Sequence, residues 1–134
     1  MATTYLDLSV EQFRLALRTD CVIGVQNDIM PTDSFQFRGA AYAFGDLRTI
    51  LAGVAKSPAP FGVAFEADGA SAMVGVDSVH HWRPDESTTM RPLPAFGLNH
   101  PELFEGALRD DSGLLLVMRP AALAQLTAAI QHDI

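Results

Sequence analysis

The run of residues 37–48 constrains the fold most, because it places a turn, a strand and a helix start in immediate succession. Gly39 permits backbone conformations that other residues avoid. Tyr42 and Phe44 stand two positions apart with small residues between them, which is the period of a half-buried strand. Asp46 can accept hydrogen bonds from the first free N–H groups of a following helix. The run therefore predicts a strand that ends at the cap of a short helix.

The predicted helix is short. Ile50 and Leu51 are expected to pack inward from it, and Gly53 is a typical stop residue.

Size and charge limit the classes of function. The chain has 134 residues, of which 49% are hydrophobic and 19% charged, so it is expected to form one domain, residues 1–134, with a real core. The formal net charge is -7 and the basic residues are scattered. Nucleic-acid binding is therefore not expected, because phosphates require a basic stripe. The charge also disfavours an anionic membrane surface.

The N-terminal segment, the apolar stretches and the cysteine content predict the cellular compartment. Met1 to Val10 shows no basic segment followed by an apolar run, and no later stretch is long enough to span a bilayer, so we expect a cytoplasmic protein without membrane insertion. Cys21 is the single cysteine, which fits a reducing compartment. Beside Val22 and Ile23 it is expected to be a buried, small apolar residue.

Short strands separated by turn signals dominate the chain. The clearest hairpin crosses Asp68-Gly69, a dipeptide that favours the positive φ angles of a tight turn. The remaining predicted elements are strands at 5–10, 12–17, 21–25, 61–66, 71–79, 107–109 and 114–118, a loop at 26–34, a linker at 52–60 and an amphipathic helix at 120–131. This pattern predicts an all-β sandwich or barrel.

Two segments resemble the CheW-like domain, an adaptor fold of bacterial chemosensory arrays. Arg38-Gly39 and Asp46-Leu47-Arg48 stand at the spacing of the family signature, with Ala43 at the usual proline position. Residues 74–79 resemble a second family segment. The connection before Arg38 is shorter than is usual in the family, which puts partner binding in question more than the fold.

The resemblance implies a fold and a role. The fold is all-β, with two small, intertwined five-stranded β-barrel subdomains, a short central helix and a C-terminal helix. The role is that of a non-enzymatic adaptor that couples the cytoplasmic tip of a chemoreceptor to a CheA-type histidine kinase, with no cofactor.

Four residues are predicted to bind partners. The family arginine that Arg38 matches is associated with the receptor-contacting groove, and Gly39 would set its direction. An ion pair from Arg38 to Asp46 or Asp77 is the structural alternative. Two further partner-binding candidates are Val74 and Val79, although the core is the expected place for both and only one of them would line the groove.

Asp46 and Arg48 are expected to be structural, the first as a helix cap and the second as a charge on the rim.

Catalytic and metal sites are not predicted. His80 and His81 are adjacent on a predicted strand and therefore point to opposite faces, so they cannot easily bind one ion with Asp77. One of them is expected beside Trp82 and the other at the surface. The chain lacks a Gly-x-Ser-x-Gly elbow.

Two other functions stay open. One is a divergent CheW-like module that associates with itself or serves another pathway, such as type IV pilus or gliding motility regulation. The other is a small β-barrel enzyme or ligand-binding protein.

Overall fold

The computed structural model describes residues 4–29, 35–37, 40–53, 59–84, 88–93 and 100–132. Ten strands and two α-helices make up most of these residues. The strands are β1 (Tyr5–Val10), β2 (Phe13–Arg18), β3 (Val22–Ile29), β4 (Phe35–Phe37), β5 (Ala40–Asp46), β6 (Ala59–Ala67), β7 (Ala70–Val76), β8 (Ser78–Trp82), β9 (Phe104–Asp110) and β10 (Gly113–Met118), and the helices are α1 (Leu47–Ala52) and α2 (Pro120–His132). Short 3₁₀ turns lie at Thr19–Cys21 and Pro101–Leu103.

The described strands form two five-stranded sheets. The first, which we call the terminal sheet, has the order β8-β1-β2-β10-β9, and the second, the middle sheet, has the order β3-β6-β7-β5-β4. Each contains one parallel pair, β2 with β10 and β5 with β7. Helix α2 leaves the terminal sheet and packs against β5, β6 and β7 of the middle sheet. The two halves are therefore interlocked, and closure of each sheet into a barrel stays a prediction.

One apolar cluster joins the two sheets. Leu8 and Leu15 of the terminal sheet, Phe65 of the middle sheet, Leu47 of α1 and Leu123 of α2 belong to it, and each is 0% exposed. Full burial of such a side chain contributes roughly 1.5–3 kcal/mol. Smaller clusters cover the second face of each sheet. The sheets and both helices thus share one core.

The tight hairpin has the predicted turn. Asp68 and Gly69 have φ angles of 52° and 80°, as the two central residues of a type I′ turn require. The flanking strands pair in register from Phe61 with Val76 to Ala67 with Ala70. This part of the prediction is confirmed.

Several element bounds differ from the prediction, and three of the differences have a common cause. The loop expected from Gln26 begins later, because β3 runs on to Ile29 and pairs with β6. The linker expected to reach Pro60 ends earlier, because β6 begins at Ala59. The single return strand expected at 71–79 breaks at Asp77, and Ser78–Trp82 pairs with β1 in the other sheet. Each difference arises from strand pairing, which overrides local turn preferences.

We expect Gly75→Ala to lower the free energy of unfolding by about 1–3 kcal/mol, the usual cost of overpacking. A Cβ atom at Gly75 would lie 2.9 Å from the Cβ of Ala59 and 3.1 Å from the ring of Phe44. Urea denaturation measures the effect. The double variant Gly75→Ala/Ala59→Gly removes the closest clash and should be less destabilised than the sum of the two single variants; strict additivity would contradict the argument.

Candidate partner-binding surfaces

The corner between β5 and α1 is fixed by a capped helix start. The Asp46 carboxylate accepts a hydrogen bond from the backbone N–H of Arg48 at 3.0 Å. At the other end Gly53 has a φ of 71° and its N–H donates to the carbonyls of Arg48 and Thr49. The helix is therefore limited at both ends by the residues that the sequence indicates.

The guanidinium of Arg48 is buried in this corner. Its Nε and Nη2 donate to the two carboxylate oxygens of Asp46 at 3.0 and 2.7 Å, and its Nη1 lies 3.6 Å from Asp77 Oδ1. The side chains of Arg48 and Asp46 are only 7% and 8% exposed. The hydrogen bonds to Asp46 raise the pKa of Arg48. Arg48 is thus not the rim charge that the sequence predicts.

Asp77 connects this corner to the terminal sheet. Its Oδ2 accepts from the backbone N–H of Glu11 at 2.8 Å, and its own N–H donates to the carbonyl of Ser9 at 2.8 Å. Glu11 has a φ of 53°, a conformation that is costly for a residue with a side chain. The Asp77 carboxylate therefore holds a strained turn between β1 and β2, and breaks the strand that the sequence predicts to be continuous.

The structure separates the four predicted partner-binding residues. Val74 is 0% exposed and belongs to the shared core, which is the place expected for it, so its side chain does not lie on the surface. Val79 is half-buried on β8, an edge strand of the terminal sheet. Arg38 and Gly39 lie outside the described residues.

A second charged cluster lies on the terminal sheet. Arg14 donates through Nη1 and Nη2 to both carboxylate oxygens of Asp110 at 2.8 Å, and Nη2 also donates to Asp7 Oδ2 at 2.7 Å. The hydrogen bonds from Arg14 lower the pKa of Asp110 to about 2. The sequence indicates that Arg14 faces away from Leu15 and Leu17, but its partners follow only from the strand order.

A cleft of about 580 Å³ opens beside Cys21, between the terminal sheet, the Ala67-Asp68 turn and the start of α2. Its charged lining comprises Arg18, Asp20, Asp68, Glu105 and Arg119. Cys21 is half-buried there, accepts a hydrogen bond from Arg18 and donates one to Asp20, and is less deeply buried than the sequence predicts. Burial raises the pKa of its thiol, which favours the neutral and less nucleophilic form.

A smaller notch of about 270 Å³ lies between the β1–β2 and β9–β10 turns. Phe13, Leu114 and Leu116 form its apolar floor, and Gln12, Arg14 and Ser112 line its polar edge. An apolar surface with a polar edge is typical of a protein–protein contact.

The histidine pair offers no shared site. His80 and His81 are both exposed, whereas Trp82 packs against Tyr5 with ring centroids 5.9 Å apart, so the prediction of one histidine beside Trp82 is wrong. Within the described residues no three His, Cys, Asp or Glu side chains converge as a metal site would require. None of the described helices is long and apolar enough to cross a membrane.

Comparison with known proteins shows the fold. No protein-family model matches the sequence, and no curated protein matches it either. The structure is similar to the crystal structure of the scaffolding protein TtCheW from Thermoanaerobacter tengcongensis, with a TM-score of 0.73 and 20% sequence identity over 89% of this chain and 90% of that chain. The chain therefore has a CheW-like fold.

We expect Arg48→Ala to lower the free energy of unfolding by about 2–4 kcal/mol, because Asp46 would lose its guanidinium partner in a buried place. Chemical denaturation measures the loss. Arg109→Ala is the matched control, because Arg109 is exposed and its replacement should change stability by about 0.5 kcal/mol or less. Equal effects of the two substitutions would contradict a structural role for Arg48.

Asp110 should make folding stability pH-dependent in acid. Its pKa is held at about 2 in the folded chain, below the ordinary 3.8, so its charged form stabilises the folded state above about pH 4. This contribution, about 1–2 kcal/mol, is lost as the pH falls through about 2.

Urea unfolding of the wild type and of Asp110→Asn at several pH values tests this. The wild type should be more stable near neutral pH, and the two curves should converge toward pH 2. Asp111→Asn, one residue further on and exposed, is the matched control. A difference between wild type and Asp110→Asn that does not change with pH would exclude the ion pair as its cause.

Proposed function

We propose that this chain is a non-enzymatic, cytoplasmic adaptor of chemosensory signalling, which couples the cytoplasmic tip of a chemoreceptor to a CheA-type histidine kinase. The observation that carries the proposal is the similarity to the scaffolding protein TtCheW over nearly the whole of both chains. The Arg-Gly and Asp-Leu-Arg segments of the sequence support it. In this role the chain works by contact, and a shift in contact free energy between partners carries the signal.

The surfaces of the chain fit such a role. The cleft beside Cys21 and the apolar notch open on different parts of the molecule, one toward α2 and one at the turns of the terminal sheet. Val79 is half-buried on an edge strand, so its side chain is available in part. Within this proposal Arg38, aimed by Gly39, and Val79 contact a partner.

A divergent role is the second candidate, and the shortened connection before Arg38 favours it. If that connection contributes to kinase or receptor contact in the family, a chain with fewer residues there can pair with itself or serve another pathway, such as type IV pilus or gliding motility regulation. Genes that neighbour this one distinguish the two candidates, since the adaptor role requires a kinase and receptors of the chemosensory type.

Gel filtration tests the adaptor role directly. The chain, the regulatory domain of the cognate kinase and a receptor cytoplasmic fragment should co-elute at tens of micromolar. Arg38→Ala should weaken binding to one of the two and leave the melting temperature nearly unchanged. Absence of co-elution with either protein would overturn the proposal, and a lower melting temperature with unchanged binding would return Arg38 to a structural role.

A further inference from the structure

Two exposed arginines lie side by side at one edge of the terminal sheet. Arg91 is fixed to β9 by a pair of backbone hydrogen bonds, from its N–H to the carbonyl of Ala107 at 2.8 Å and from the Ala107 N–H to its carbonyl at 2.9 Å. Arg109 follows Ala107 by two residues on β9. Both side chains are exposed.

The strand geometry places both arginines on one face. Alternate residues of a strand point to the same side, so Arg109 shares the side of Ala107 and of its bridge partner Arg91. Such diagonal neighbours are about 7–8 Å apart, within reach of long side chains. The main chain therefore holds two guanidinium groups close together on a defined surface, which we call the arginine pair.

Glu105, four residues before Arg109 on β9, is turned away from the arginine pair. Val117 is opposite Gly106 and Met118 is opposite Phe104, so a bulge at Glu105 interrupts the alternation of β9. Glu105 lies instead toward Tyr5, whose pKa is raised by burial and then by this carboxylate. At the other end Asp110 is bound to Arg14.

The arginine pair forms no ion pair within the described residues. Arg14, Arg18 and Arg48 each lie between 2.7 and 3.6 Å from a carboxylate, whereas no described carboxylate forms an ion pair with Arg91 or Arg109. The whole chain carries a formal net charge of -7. In the part of the chain that the structure describes, two neighbouring cations without an ion-pair partner thus stand on a protein that is acidic as a whole.

We propose that the arginine pair docks an acidic helical segment of a partner protein. Carboxylates three or four residues apart on a helix are about 5–6 Å apart, a spacing that two neighbouring guanidinium groups can match. Planar guanidinium groups bind carboxylates through paired hydrogen bonds. Half-buried Leu93 lies two residues after Arg91 and provides apolar contact beside the charges. The inference rests on the adaptor role, for which it specifies the chemistry of one partner.

A designed peptide tests the surface by itself. The probe is a labelled, alanine-based helical peptide with glutamates at i and i+4, compared with the same peptide carrying glutamines. Fluorescence anisotropy at low salt should show tighter binding of the glutamate peptide. Arg91→Glu and Arg109→Glu should each weaken it, and the double variant should weaken it by about tenfold or more. Added salt should reduce the difference.

Arg83→Glu is the matched control, because Arg83 is exposed and follows β8 at the opposite edge of the terminal sheet. It makes the same change in net charge and should leave peptide binding nearly unchanged. Equal affinity for the two peptides, absence of binding to the wild type, or equal losses in Arg83→Glu and Arg91→Glu would overturn the inference. Unchanged melting temperatures show that the variants remain folded.

The same variants separate this inference from the adaptor role. If the wild type binds the kinase regulatory domain or the receptor fragment and the double variant loses one of them, both proposals are supported. If the wild type binds and the double variant binds equally well, the arginine pair is not the docking site and the adaptor role stands. If the wild type binds neither protein, the adaptor role fails, and the peptide measurements decide whether the arginine pair binds acidic helices.

Discussion

The buried guanidinium of Arg48 is the interaction on which the arrangement of the two sheets depends. A buried cation is tolerated only where carboxylates surround it, and here Asp46 and Asp77 supply them from two different elements. Asp77 in turn holds the turn between β1 and β2 through the N–H of Glu11. One guanidinium thus links the start of α1 to the crossover between the sheets, and Asp77 links that crossover to the first hairpin.

The order of the strands makes the two sheets a single unit. The terminal sheet joins strands from both ends of the chain, and α2 returns to pack on the middle sheet. The parallel pairing of β2 with β10 closes almost the whole chain into one loop, which is entropically costly until the shared core is formed. Neither sheet can bury its apolar face alone, so the shared core holds the two sheets in one relative position. A partner that binds one sheet therefore binds a surface whose position relative to the other sheet is fixed.

Local features could be predicted from the sequence, and features that depend on distant pairing could not. The Asp68-Gly69 turn, the Asp46 cap and the Gly53 stop are set by the conformational preferences of single residues, and the structure has all three. The continuation of β3 to Ile29 depends on β6, and the break at Asp77 depends on Ser9 and Glu11.

The same distinction applies at the candidate sites. The sequence predicts Arg48 as a charge on the rim, but its burial follows from the place where Asp77 crosses between the sheets. The expected core position of Val74 needs only the apolar alternation of its strand, and the structure has it.

The residues that maintain the fold this chain shares with TtCheW differ from the residues that recognise a partner. At 20% identity to TtCheW the fold survives because apolar positions accept one another's side chains, provided that volume and alternation are kept. Recognition of a partner has no such tolerance, since it depends on a few exposed charges and apolar side chains. On an acidic surface each exposed cation without an internal carboxylate stands out against the local potential, and a partner with acidic groups is attracted there and repelled elsewhere. The exposed arginines are therefore expected to contribute to the choice of this chain's partner.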